Sequence, residues 1–363
     1  MPHTVFSKVL VALCSVTLAC VGCNGGSTSK PTSSQRAKPD AGRPGGAGGG
    51  LFEGSQPFGS NVSGSAVSNR TQAIIRALDG MGGWGNGNAF KIDFSIPIFF
   101  ADKSTPRGQV IGAEDYCFGG PDCDRVPARM PVPANAYFEG SSDLTCDPSG
   151  NTEGQGDCHL LVVDREERKL YEIYQGSKKG SQNEEAITAQ GFFVWDLNKS
   201  YPETLRGDQC TSADAAGFPI AALLPTADEV ASGAVNHPLR FILPNDRMKK
   251  GVYVRPATHA GGPDSTDPDA PPYGVRFRLK ADFDESNYSA SEKVILKALK
   301  TYGMLLSDGG EVPLTFADDR TSTAKWSNLG IRAESFGNIR VDQFEVVELG
   351  SDVAVSYNCV RNP

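Results

Sequence analysis

An apolar run from Val9 to Val21, preceded by Lys8 and closed by small residues around Cys20 and Cys23, governs what the rest of this chain can fold into. It reads as a lipoprotein signal peptide over 1–22. The run is too short to cross a bilayer as a permanent helix, so it addresses the chain out of the cytosol rather than anchoring it there. Cysteine parity selects the lipidated residue. A lipid on Cys23 leaves Cys117, Cys123, Cys146, Cys158, Cys210 and Cys359 as an even set, whereas cleavage before Cys20 would strand an odd thiol. In an oxidising compartment those six are available for three disulfides. Cys117 and Cys123 bracket FGGPD, Cys146 and Cys158 bracket DPSGNTEGQGD, and both loops are turn-rich. Near-neighbour pairing then leaves Cys210 and Cys359 as a long staple. This is the preferred pairing among fifteen connectivities.

The tract that follows Cys23, with GGSTSKPTSSQ and AGRPGGAGGG, has almost no aliphatic residues and behaves as a flexible tether. The tether is expected over 23–69 and one globular extracytoplasmic domain over 70–363. That leaves roughly 290 residues for a core, enough for one large domain. The net charge of −8 and the lack of any Lys/Arg-rich run exclude a nucleic-acid-binding surface.

TQAIIRALDG places Ile74, Ile75 and Leu78 at helical spacing, with Asn69 or Thr71 as the cap and Gly80 as the stop. KIDFSIPIFF, VPANAYF, CHLLVVD, RKLYEIYQG and GFFVWDL read as strands, and HLLVVD with KLYEIY around REER reads as a hairpin. Thr226 with Glu229, and Ser289 with Glu292, form capping boxes, the second opening an amphipathic helix through Val294, Ile295, Ala298 and Leu299 toward Tyr302 and Leu305. LRFIL, GVYVRPA, YGVRFRLKA and FEVVEL supply further strands. Helices do not alternate with strands as βαβ units require, so the fold class is a β-rich α+β single domain. A β-sandwich or a curved antiparallel sheet with a few packed helices is expected.

DCHLLVVDREERKLYEIY, TSADAAGFPIAALLPTADEVASGAVNHPLRFIL, RPATHA, PPYGVRFRLKADFD and VILKALKTYGMLLSDGG, in that order over 157–310, resemble a family of secreted bacterial, and some fungal, proteins of unassigned activity. Some members of that family carry sugar-binding modules beside this domain, so the resemblance implies an extracellular carbohydrate context. The chain departs from the pattern in its extra cysteines. It also has LLPTADEV where relatives have a Gly-Leu-Val-Arg-Tyr-Asp-Glu run, so the arginine of that run has no counterpart.

Three residues are candidates for catalysis. Asp214 lies among small residues in TSADAAG, where a ligand can approach closely, although Ser212 or Asp214 could equally cap a turn. Glu172 shares a strand face with Tyr174, the carboxylate-beside-aromatic arrangement that sugar sites use. His259 leads into a long Gly/Pro/Asp loop, and sites concentrate on loops held by a scaffold. Arg240, Arg276, Tyr273 and Trp195 are candidate substrate contacts. Arg276 and Arg278 lie on one strand face and could clamp an anion or pair with local acids. Trp195 could stack on a sugar or lie in the core. His159 reads as a satisfied buried histidine. No metal or cofactor is expected: the histidines His159, His237 and His259 lack short-spacing anchors and no zinc-type spacing occurs. GxSxG is absent, and GMGGWGNGN lacks the phosphate-loop context.

The resulting expectation is a protein lipid-anchored to the cell envelope, at the outer membrane or cell surface, that acts on or binds polysaccharide. A glycoside hydrolase would use Asp214 and Glu172 as its carboxylate pair. A lyase acting on an acidic glycan, with His259 as base and Arg276 neutralising the carboxylate, is the enzymatic alternative. A non-catalytic module that binds glycan or another envelope component is the alternative from a different class.

Overall fold

The computed structural model describes residues 50–113, 116–117, 121–146, 156–179 and 186–362. The expected signal peptide, Cys23 and the expected tether up to residue 49 lie outside the described residues. The folded part belongs to one compact unit, Pro44–Pro363.

In chain order the strands are β1 (Ile92–Ile96), β2 (Ile98–Ala101), β3 (Arg107–Gly112), β4 (Ala128–Pro131), β5 (His159–Asp164), β6 (Lys169–Lys179), β7 (Ala186–Asp196) and β8 (Gly207–Asp208). They continue as β9 (Leu239–Leu243), β10 (Val252–Tyr253), β11 (Arg276–Leu279), β12 (Met304–Gly309), β13 (Leu314–Ala317), β14 (Phe344–Val347), β15 (Val353–Ala354) and β16 (Val360–Arg361). Helices are α1 (Thr71–Gly80), α2 (Gly85–Asn88), α3 (Ala227–Ser232) and α4 (Ala290–Thr301). Two six-stranded sheets carry the architecture, ordered β2-β5-β6-β7-β3-β4 and β1-β13-β9-β12-β11-β14. The first is called here the long-stranded sheet and the second the short-stranded sheet. The domain is thus β-rich α+β, as expected. Both sheets are mixed rather than purely antiparallel: β2 runs parallel to β5, β3 to β7, β1 to β13 and β9 to β12.

The long-stranded sheet follows from local sequence. β5 to β7 form a meander in which Leu170 faces Trp195 and Glu172 faces Phe193. The REER turn is closed by Asp164, whose carboxylate accepts from the backbone N–H groups of Glu166 and Glu167. Because HLLVVD is apolar at every position but its ends, the sheet is buried on both faces. Leu161, Val163, Leu170 and Phe193 join the main core. Leu160, Val162, Ile173 and Phe192 build a second core with Phe99, Met130 and Phe138. VPANAYF, expected as a strand, is instead a loop packed over this second core, because Pro133 cannot donate to a ladder.

The capping boxes at α3 and α4 form as expected. Helix α4 ends at Thr301, so Leu305 falls on β12 rather than on the helix. At α1 the cap position is Arg70, without a side-chain cap; Thr71 instead gives its hydroxyl to the Val346 carbonyl. The glycines of GMGGWGNGN serve packing. A Cβ on Gly85 would lie 2.0 Å from the Glu311 carbonyl oxygen, and the neighbouring Trp84 is wholly buried with its indole N–H on Ile339.

The packed domain begins earlier than residue 70. Leu51, Phe52, Phe58 and Val62 are all buried. Arg276 donates to the carbonyls of Phe58 (2.7 Å) and Ser60 (3.1 Å). Arg278 donates to the carbonyls of Val62 and Ser65 and to Glu345. The expected anion clamp is therefore a clasp on the backbone of the N-terminal segment.

The three disulfides are Cys117–Cys123, Cys146–Cys158 and Cys210–Cys359, the preferred connectivity. The last lies beside the short β8–β16 pairing, which returns the C-terminus to the middle of the chain. Disulfides of this kind indicate an oxidising, extracytoplasmic environment. No described helix is long and apolar enough to cross a membrane.

Candidate functional site

The segment Thr211–Gly217, which follows β8, passes between the long-stranded sheet and the end of β12. It is held by its own polar groups. Ser212 gives its hydroxyl to the Phe218 carbonyl and accepts from the Asp214 N–H. The Thr211 N–H meets Asp122, and the Ala216 N–H meets the Ser307 carbonyl. Gly217 has φ +85°, and a Cβ there would strike the Thr258 hydroxyl at 2.1 Å.

This segment forms one wall of a cavity of about 420 Å³ whose other walls include Asp157, Tyr174 of β6, Phe193 of β7, His259 and Asp308 of β12. His259 is 7 % exposed. Its Nδ1 lies 2.9 Å from the Ala215 carbonyl oxygen, which can only accept, so Nδ1 carries the proton. Burial lowers its pKa, and the ring is neutral with a lone pair on Nε2. That nitrogen has no hydrogen-bond partner among the described residues. Across the cavity wall, Asp308 accepts from Arg240 (2.9 Å), from the Gly309 N–H (2.8 Å) and from the Ala215 N–H (3.3 Å). Burial raises its pKa even though Arg240 works in the opposite direction.

Behind Asp308 lies a buried ionic network. Arg240 of β9 reaches Asp214 with Nε (2.9 Å), Thr315 with Nη1 (3.0 Å) and Asp308 with Nη2. Asp214 is 0 % exposed, and its Oδ2 has no partner. Burial pushes its pKa up to about 7 against the pull of Arg240. Glu172 is likewise 0 % exposed and accepts from the Trp195 indole (3.0 Å) and the Ala221 N–H (3.3 Å). Burial raises it to about 7 as well.

A smaller cavity of about 180 Å³ shares Asp157 with the first and is also lined by Asp93, Glu139, His159, Arg240 and Glu311. Both ring nitrogens of His159 face acceptors, Glu139 at 2.6 Å and the Ala213 carbonyl at 3.2 Å, so the ring is an imidazolium. Burial alone would lower its pKa, but Glu139 outweighs this and lifts it to about 9. Ser95 lies 2.6 Å from Asp93 and 2.5 Å from Glu139. Burial raises the pKa of Asp93, against the hydrogen bond from Ser95 that works in the opposite direction.

Of the expected catalytic residues, His259 lines the larger cavity while Asp214 and Glu172 are closed off beneath it. Of the expected contacts, Arg240 lines the smaller cavity and links Asp214 to Asp308. Trp195 is wholly buried with its N–H spent on Glu172, so it is no stacking platform. Tyr273 is also buried and does not line the cavity; a Cβ added on the cavity residue Gly261 would sit 3.1 Å from its hydroxyl. Arg276 is committed to Phe58 and Ser60. The three histidines do not converge: His237 bonds the Pro238 carbonyl and faces Glu229 at 3.5 Å, apart from both cavities. The one close group of acid and cysteine side chains among the described residues, Asp122 with Cys210 and Cys359, has its sulfurs in a disulfide.

Asp308 and Asp157 are the residues that sequence reasoning passed over. Asp308 ends a strand in LLSDGG, where an acid followed by two glycines marks a chain end open to a ligand, and it lies within the stretch that carries the resemblance. Asp157 stands in an acidic turn region with no comparable signal. No family model, no curated protein and no solved structure matches this chain.

Proposed function

We propose that this is an extracytoplasmic protein, lipid-anchored through Cys23, that takes a carbohydrate chain into the cavity at His259 and Asp308 and hydrolyses it by general acid–base catalysis. The observation that carries this reading is the neutral His259, fixed by Ala215 through Nδ1, with its Nε2 lone pair on a cavity wall that also holds a carboxyl of raised pKa. A base needs its lone pair uncommitted and its pKa below working pH; an acid needs its proton retained. In the proposed reaction His259 Nε2 takes a proton from the attacking water, and Asp308 gives one to the departing glycosidic oxygen. Tyr174 and Phe193 offer the apolar faces against which a sugar ring packs. The carbohydrate context itself comes from the family resemblance.

The roles first assigned to Asp214 and Glu172 pass to residues that face the cavity. Asp214 becomes a positioning residue that orients Arg240 on Asp308. The lyase reading loses its neutralising cation, because Arg276 is occupied elsewhere. The non-catalytic reading is favoured by one observation, the burial of both expected carboxylates, and the same experiment separates the two. The mature protein is incubated with plant, fungal and bacterial polysaccharides and the released products are analysed. Hydrolysis that His259→Ala reduces by about 10²-fold or more, with the melting temperature retained, supports catalysis. Binding without any product would leave a glycan-binding module. The pH profile follows from the two shifts. Activity should fall as pH drops through the lowered pKa of His259, which protonates the base, and as pH rises through the raised pKa of Asp308, which deprotonates the acid.

A further inference from the structure

The charges facing the two cavities are unequal. Asp157 and Asp308 line the larger one, and among the described residues no Lys or Arg does. In the smaller one Asp93, Glu139, Asp157 and Glu311 face His159 and Arg240. Both of those cations are already engaged, His159 by Glu139 and Arg240 by Asp214 and Asp308. The internal stretches outside the described residues, 114–115, 118–120, 147–155 and 180–185, contain no Lys, Arg or His that could redress the balance. Asp157 belongs to both cavities, is exposed, and has no ion pair among the described residues.

A second feature points the same way. The His259 side chain, more than nine-tenths buried, presents an unpartnered acceptor on the same wall. An acceptor without a facing donor is costly in a partly desolvated cavity, and a ligand that brings donors offsets that cost; the positive charge it brings meets the exposed Asp157, which has no ion pair among the described residues. A uronate would add like charge to Asp157. An N-acetyl group would remove the charge of the amine that could pair with it.

We infer that the chain taken by this site is an amino-sugar polymer with free, protonated amines, its ammonium groups meeting Asp157 where the two cavities join. The inference rests on reading the cavity as a glycan site. It names the substrate class of that site.

Calorimetric titration of the full mature protein at low ionic strength tests it, using a glucosamine tetramer, its fully N-acetylated counterpart, a galacturonate tetramer and a lysine tetramer. The free-amine sugar should bind at least about tenfold more tightly than the acetylated one, as charge-assisted hydrogen bonds require, and the uronate should bind most weakly. Asp157→Asn should shrink the amine preference several-fold without moving the melting temperature, since this side chain is exposed, and added salt should shrink it too. Equal affinity for the amine and acetylated sugars, or a preference that Asp157→Asn and salt leave untouched, would overturn the inference while the glycan reading stands. A lysine tetramer binding as tightly as the amino sugar would overturn it in favour of a cationic peptide. Failure of every sugar to bind, with no polysaccharide hydrolysed, would remove both the inference and the reading beneath it.

Discussion

The two six-stranded sheets solve the problem of a buried face in different ways. The long-stranded sheet is built from chain neighbours: β5, β6 and β7 follow one another, and β6 and β7 pair along almost their full 11-residue lengths. Its inward face is aliphatic and aromatic apart from Glu172 and the His159 imidazolium. The short-stranded sheet collects strands from distant parts of the chain, and its centre, β9 with β12 and β13, buries an arginine tied to two aspartates and a threonine. Apolar burial is non-directional and tolerates adjustment, whereas a buried ion network tolerates almost none. The cavity opens where the two strategies meet: Tyr174 and Phe193 come from one sheet and Asp308 from the other.

The severest way to break this contrast is Arg240→Leu. It would leave Asp214 and Asp308 facing each other without their cation, and a buried pair broken from one side costs about 3–5 kcal/mol. Denaturant unfolding measures it. A loss below about 1 kcal/mol would mean that the network positions Asp308 without holding the sheet. Next comes Cys210→Ala, which removes the bridge spanning a sequence separation of 149. It should cost about 2–5 kcal/mol and make the melting temperature indifferent to removal of this bridge by reductant. Because this staple ties the chain end to the segment that enters the cavity, a stability loss without any change in ligand binding would show that the two are uncoupled.

The third prediction sharpens the comparison through pH. Asp214 and Glu172 have folded pKa values raised above their ordinary carboxyl values, both to about 7. Their contribution to stability is therefore fully present below their unfolded values, near 4, and is lost as pH rises through about 7. Stability measured from pH 4 to 8 should decline by on the order of 1–3 kcal/mol. Glu172→Gln should remove about half of that slope, because Asp214, raised to the same value even with Arg240 beside it, supplies the rest. An unchanged slope in Glu172→Gln would place the titration in the short-stranded sheet instead. The smallest effect is expected far from both cavities, at Ser289→Ala, which deletes the α4 cap and should cost about 1 kcal/mol with ligand binding unchanged.

The parts of this molecule legible in advance are those decided within a few residues of one another. The boxes at Thr226 and Ser289, the hairpin around REER and the turn-rich cysteine loops each carry their own closing interaction. The N-terminal boundary was not legible, because Leu51, Phe52, Phe58 and Val62 follow neither a helical nor a strand period. The backbone of Phe58 and Val62 is held by Arg276 and Arg278, more than two hundred residues away in sequence, and Leu51 and Phe52 are held by Arg168, Trp195 and Tyr201. The site was half legible for the same reason. Type and local neighbours single out His259. The burial of Asp214 beneath Arg240, and the arrival of Asp308 on the cavity wall, come from pairings between β9 and β12 that no local pattern encodes.

The guanidinium clasp on residues 58–65 also decides how the domain meets mechanical load. Besides the clasp, the Val62 N–H bonds the Thr301 carbonyl and the Ser68 N–H bonds the Val346 carbonyl. A pull applied N-terminal to Leu51 meets first the Arg168 bond to the Leu51 carbonyl and the Glu53 N–H bond to Leu197, and then the clasp on β11. Load entering there is shared among these bonds and the buried rings of Phe52 and Phe58 before it reaches the Thr211–Gly217 segment, so the anchorage acts as a strain relief for the cavity.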